Sequence, residues 1–188
     1  MAKTRTEEVL TEEIEKMVGS EEFQDQKGEF RNFTHRYAER SGRSENEGWA
    51  LMKKKVIEIL PAYISDGMIV CSLEKIAEKE PCRKAMEKGE EQLVISPGKG
   101  FPAVKFPTFY PYLDFILRAG PVDICHMKTK FKVEGNLTLG NVTLKFQGKR
   151  ITRIFGSATV DAKIFICKGE IPVTLHEFRK EIPLDTSR

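Results

Sequence analysis

Between residues 125 and 134 the side chains alternate without a break. Cys125, Met127, Thr129, Phe131 and Val133 take one set of positions, and His126, Lys128, Lys130, Lys132 and Glu134 take the other. A period of two sends the sets to opposite faces of a strand, so this stretch predicts a half-buried strand with one greasy side and one basic side. Leu137 and Leu139 continue the greasy side. Past Gly140 and Asn141 the pattern resumes at Val142, Leu144 and Phe146 with its parity shifted by one, which requires a turn or bulge to restore the face. "QGKR" and "DAK" read as hairpin tips between strands at 151–160 and 162–167, and Gly169 precedes a last strand at 171–175. The result is an antiparallel meander, and a sheet with one apolar face needs something to cover it.

The cover lies upstream. Thr4 with Glu7, and Ser44 with Glu47, match the capping box, in which a hydroxyl and a carboxylate satisfy free backbone donors at a helix start. The first precedes Val9, Leu10, Ile14, Met17 and Val18; the second precedes Trp49, Met52, Val56, Ile59 and Leu60, and Pro61 is expected to stop that helix. Phe30, Phe33 and Tyr37 share a helical face that ends at Gly42, and such a stripe packs on the chain's own core. Ser65 or Asp66 is expected to cap a further helix, and Pro81 to start another running through Met86 and Leu93. "SPGKGFPAVKFPTFYPY", with four prolines, reads as an extended, turn-rich connection. The expected fold class is therefore α+β: a helical amino-terminal third followed by a curved antiparallel meander packed on a helix. Residues 1–60 form a helical extension and 61–188 an α+β domain.

Composition removes several functions. With 31 basic and 28 acidic residues the net charge is +3, too small for whole-molecule attraction to nucleic acid. The lysine and arginine runs at 53–55 and 36–43 read as solvated helix faces. No apolar run approaches the roughly 20 residues that span a bilayer, so no integral membrane segment is expected. The amino terminus lacks the apolar centre of an export signal, which points to an intracellular chain with Cys71, Cys82, Cys125 and Cys167 reduced. Three histidines and no Cys-x-x-Cys or His-Glu-x-x-His leave no metal motif and no cofactor expected. No serine or cysteine sits in a nucleophile turn, so no catalytic residue is assigned.

Three segments, "LPAYISDGMIVC", "PCRKAMEKGEEQLVISPGKGFPAVKFPTFYPY" and "GPVDICHMKTKFKVEGNLTLGNVTLKF", occur in this order over roughly residues 60–150. Together the stretch resembles the start of the takeout and juvenile-hormone-binding family. That resemblance implies a disulfide between Cys71 and Cys82, with Gly100 and Pro102 as the family's glycine-proline step. It also implies a tubular lipid-binding fold: a strongly curved antiparallel sheet wrapped on a long helix around an apolar tunnel. The function implied is carriage of a hydrophobic small molecule such as a fatty acid or isoprenoid, without catalysis, in a secreted protein. Phe101, Phe106, Phe109, Met127, Phe131, Leu137 and Leu139 are the inward candidates to line such a tunnel, and the same seven fit a plain core. Each buried CH₂ of a ligand gains about 0.8 kcal/mol, enough for a fatty chain to bind in the micromolar range.

Two other readings stand beside it. "GKRITRIFGSATVDAKIFICKGEIPVTL" looks like the last two strands of a hot-dog fold, which suggests an intracellular acyl-thioester enzyme, although the histidine-bearing loop of that fold's dehydratases is missing. Alternatively, residues 1–60 bind a protein partner as a helical interaction module.

Overall fold

The computed structural model describes residues 3–97 and 103–186. The helices come first. α1 (Arg5–Val18) starts at Thr4, whose hydroxyl accepts the Glu7 N–H at 3.1 Å. α2 (Glu21–Gln24) and a 3₁₀ turn (Lys27–Phe30) lead into α3 (Arg31–Ser41), which Gly42 ends in the left-handed region at φ 71°. α4 (Glu45–Ala77) is 33 residues long and begins at Ser44, whose hydroxyl accepts the Glu47 N–H at 3.2 Å. A short α5 (Glu80–Glu87) follows.

α4 corrects two expectations. Pro61 does not stop the helix but lies buried inside it, and Ser65 is a buried interior residue, not a cap. A mid-helix proline costs about 3 kcal/mol. Leu60, Ile64, Met68 and Ile76 continue one buried stripe past the proline. At about 1.5–3 kcal/mol each, those side chains outweigh it. The division drawn at residue 60 accordingly falls within one continuous helix, and the buried side chains of helices and sheet join in a single core. Among the described residues α4 is also the one helix long and apolar enough to cross a membrane by length and composition, a length the uninterrupted apolar runs did not reveal. It is the helix on which the sheet packs, and 44% of its most apolar window is buried within the protein.

Among the described residues six strands form the antiparallel sheet. β1 (Gln92–Ile95), β2 (Val104–Phe109) and β3 (Tyr112–Ala119) all pair along one side of β4 (Val122–Gln147). β5 (Arg150–Lys168) pairs with the other side of β4, and β6 (Ile171–Asp185) with β5. The fold is α+β, an antiparallel meander packed on a helix, as the change of period implied. The parity shift is present as a register step between Leu139 and Val142, which returns Val142 and Leu144 to the buried face. "DAK" is not a hairpin tip. Asp161, Ala162 and Lys163 lie in mid-strand opposite Asn136, Gly135 and Glu134, so the two strands expected there are one. The proline-rich connection holds β2 and the start of β3, and Leu93 lies in β1 beyond the end of α5.

α1 packs along β6 and touches its backbone at Pro183. Thr6 donates its hydroxyl to the Pro183 carbonyl at 2.5 Å, His176 bonds the Glu13 carboxylate at 2.9 Å, and Lys180 reaches Glu12 and Glu13. An uncovered strand of this length is a template for aggregation, and a helix packed beside it hinders such pairing.

Candidate ligand-binding cleft

Six of the seven inward candidates fall among the described residues; Phe101 lies outside them. Phe106, Met127, Phe131, Leu137 and Leu139 are all buried and join the helix side chains in the one core, while Phe109 is partly buried. The sheet spreads them along β4 and does not gather them into one pocket. Val104 lies opposite Leu137, Phe106 opposite Gly135 and Phe109 opposite Val133, so Phe106, Phe109 and Leu137 share the β2 end. Met127 lies opposite Phe115 on β3, and Leu139 opposite Ala158 on β5. Of the six described, Phe106 borders a cleft.

That cleft runs between the end of α4 and β2. Its volume is about 550 Å³, within the roughly 300–1,000 Å³ of small-molecule sites. Val104 and Phe106 border it but are themselves buried, and Lys75, Lys79, Lys105 and Glu78 stand at its rim. The rim is built from two sides. On β2, alternation turns Val104 and Phe106 inward and Lys105 outward. On the helical side, Lys75 lies in the last turn of α4 and Lys79 in the extended link between α4 and α5. Three ammonium groups against one carboxylate leave the rim positive, and among the described residues none of the three lysines has an ion-pair partner. Sequence reading passed over these lysines. A period-two signal is present in Val104, Lys105 and Phe106, but Pro102 and Pro107 on either side made the segment read as irregular.

About two turns earlier on α4, the helix and β2 touch directly. A Cβ built on Gly67 would sit 2.4 Å from the Phe109 ring, so the absence of a side chain at 67 is what lets that ring lie flat against the helix. Gly67→Ala is expected to push Phe109 away and loosen β2, lowering stability by about 1–3 kcal/mol in urea unfolding.

The rest of the molecule offers little reactive chemistry. All four cysteines are free thiols; Cys71 sits on α4 and Cys82 on α5, unbonded to one another. Burial pushes the Cys82 thiol up to about 11. Cys71 is raised by burial and then by Glu74, and Cys125 by burial against the opposing pull of Arg36 and Arg40. A thiol held in its neutral form is a poor nucleophile and a poor metal ligand. His126 bonds Asp114 on the outer face of the sheet, with more than two-fifths of each side chain exposed. Cys125, next in sequence, points to the opposite face and reaches the Phe33 carbonyl at 3.7 Å. Among the described residues no three histidine, cysteine or acidic side chains cluster as a metal site would need. Comparison with protein-family models, with curated proteins and with solved structures returns no match.

Proposed function

We propose that this chain binds, without chemistry of its own, a hydrophobic small molecule carrying an anionic head, of the fatty-acid class, in the cleft between α4 and β2. The observation that carries the reading is the rim of Lys75, Lys79 and Lys105 above the buried apolar side chains of Val104 and Phe106. Three cations with no ion-pair partner among the described residues complement a carboxylate, and the cleft has the volume of a small-molecule site. The takeout resemblance supports the same ligand class, with the seat moved from the sealed interior to the end of the sheet.

Titration with palmitate, followed by calorimetry and native mass spectrometry, tests it. A one-to-one complex with a dissociation constant on the order of micromolar is expected. Lys79→Glu and Lys105→Glu should each weaken it about tenfold, and palmitate methyl ester should bind less tightly than the acid. Saturation binding unaffected by either substitution, or no complex at roughly 100 µM palmitate, overturns the assignment.

A further inference from the structure

β3 has one side bonded and one side open. The Phe131 N–H donates to the Pro111 carbonyl at 2.9 Å, which makes 111 and 131 a hydrogen-bonded pair. By the alternation of an antiparallel ladder, Leu113, Phe115 and Leu117 bond to β4, and the N–H and C=O of Tyr112, Asp114 and Ile116 point away from it. Among the described residues no strand pairs with that side. A cleft of about 450 Å³ reaches it, bounded by Leu51 and Lys55 of α4, by residues 114 to 118 and by His126 of β4. Residues of both parities on β3 border the cleft. Ile116 is 38% exposed there.

Edge strands in natural proteins are usually blocked by charge. The charges on this edge are Asp114 and Arg118, one at each end of Ile116, and they are opposite in sign. We infer that the open edge of β3 pairs antiparallel with β3 of a second copy of this chain, about a two-fold axis through Ile116. In that register Ile116 meets Ile116 and the two exchange both backbone hydrogen bonds, since its N–H and C=O already point outward. Asp114 of each copy stands opposite Arg118 of the other. On the inner side Phe115 faces Leu117, continuing the apolar face across the axis. Within one copy Asp114 bonds His126 and Arg118 bonds Asp123 at 2.7 Å. Those pairs lie on the outer face and leave the edge open. The edge meets a copy of itself because its charge pattern reverses under the two-fold; an unrelated strand has no reason to match it. The paired segment is short, because the register steps between Leu117 and Arg118. The dimer is therefore weak, with a dissociation constant on the order of micromolar or above.

Sedimentation equilibrium of the full chain tests this, with two exposed single variants, Asp114→Arg and Arg118→Asp. The wild type should dimerise, and each variant alone should dimerise at least about tenfold less well, because it places like charges opposite one another. Mixing the two variants should restore association, since every Arg then faces an Asp. Hydrogen exchange supplies a second readout: the Ile116 amide should gain protection as protein concentration rises, and the amides of Leu113 and Phe115, already bonded to β4, should not. A wild-type chain monomeric at roughly 1 mM overturns the inference. So does a dimer indifferent to both substitutions, or a mixture that associates no better than its components.

Discussion

Gly135→Ala is expected to destabilise the protein by about 3 kcal/mol or more, at the upper end of what overpacking does. Gly135 stands in mid-β4 between β2 and β5, at an inward position of the alternation. A Cβ there would lie 2.2 Å from the Asp161 carbonyl oxygen, 2.8 Å from the Ala162 Cα and 3.0 Å from the Phe106 ring. Two of those atoms are backbone of the neighbouring strand, which cannot swing aside as a side chain does. Phe106 covers the bare glycine from the adjacent strand, a pairing that pins register where a sheet bends. Gly28→Ala is the matched control, because nothing lies within 4 Å of its added methyl; it should stay within about 0.5 kcal/mol of wild type. Urea-unfolding midpoints at constant slope measure both. Shortening Phe106 in the Gly135→Ala background should recover only part of the loss, since the carbonyl contact remains.

Replacing Glu13 with Gln is expected to cost about 2 kcal/mol at pH 7, somewhat below the roughly 3–5 kcal/mol of breaking a fully buried pair. The Glu13 side chain is 6% exposed and holds Lys16 at 3.1 Å, His176 at 2.9 Å and Lys180 at 3.5 Å. Burial works to raise its pKa; the hydrogen bonds from His176 and Lys16, with the charges of both, together outweigh it and hold the carboxyl below its ordinary 4.5. A folded-state value below the unfolded one means that the stabilisation is complete above the unfolded pKa and is lost as pH falls through the folded one. Wild type and Glu13→Gln should therefore differ most at neutral pH and converge as the pH drops below 4.5. A gap that widens in acid would show that the carboxylate is not the stabilising form.

Patterns confined to one element were legible in the sequence. The alternation from Cys125 to Val133, the parity break at Gly140, and the caps at Thr4 and Ser44 each depend on neighbours a few residues away, and each is present in the structure. What failed depended on partners far along the chain. Pro61 is a stop signal for an isolated helix, and it loses to core contacts that continue through Ile64 and Met68. Asp161 to Lys163 carry polar residues typical of a turn, but Ala162 is the small side chain that lets β5 pass close to Gly135. The cleft was the least legible part. Lys75 and Lys79 flank the end of α4 and Lys105 belongs to a strand beyond it, and only the folding of β2 back along α4 brings them together.

The seal between α1 and β6 joins residues 163 to 177 positions apart, such as Glu13 to His176 and Thr6 to Pro183. A ribosome delivers the first helix long before its docking strand exists. Until β6 is made, the 19 residues of β5 are left as a bare rim and the side of α1 that meets β6 has no partner. Nascent or truncated chains ending before Ile171 should therefore be the sticky species, the ones that chaperones hold and that precipitate in pulse-labelled extracts, while the finished chain closes on itself late and all at once.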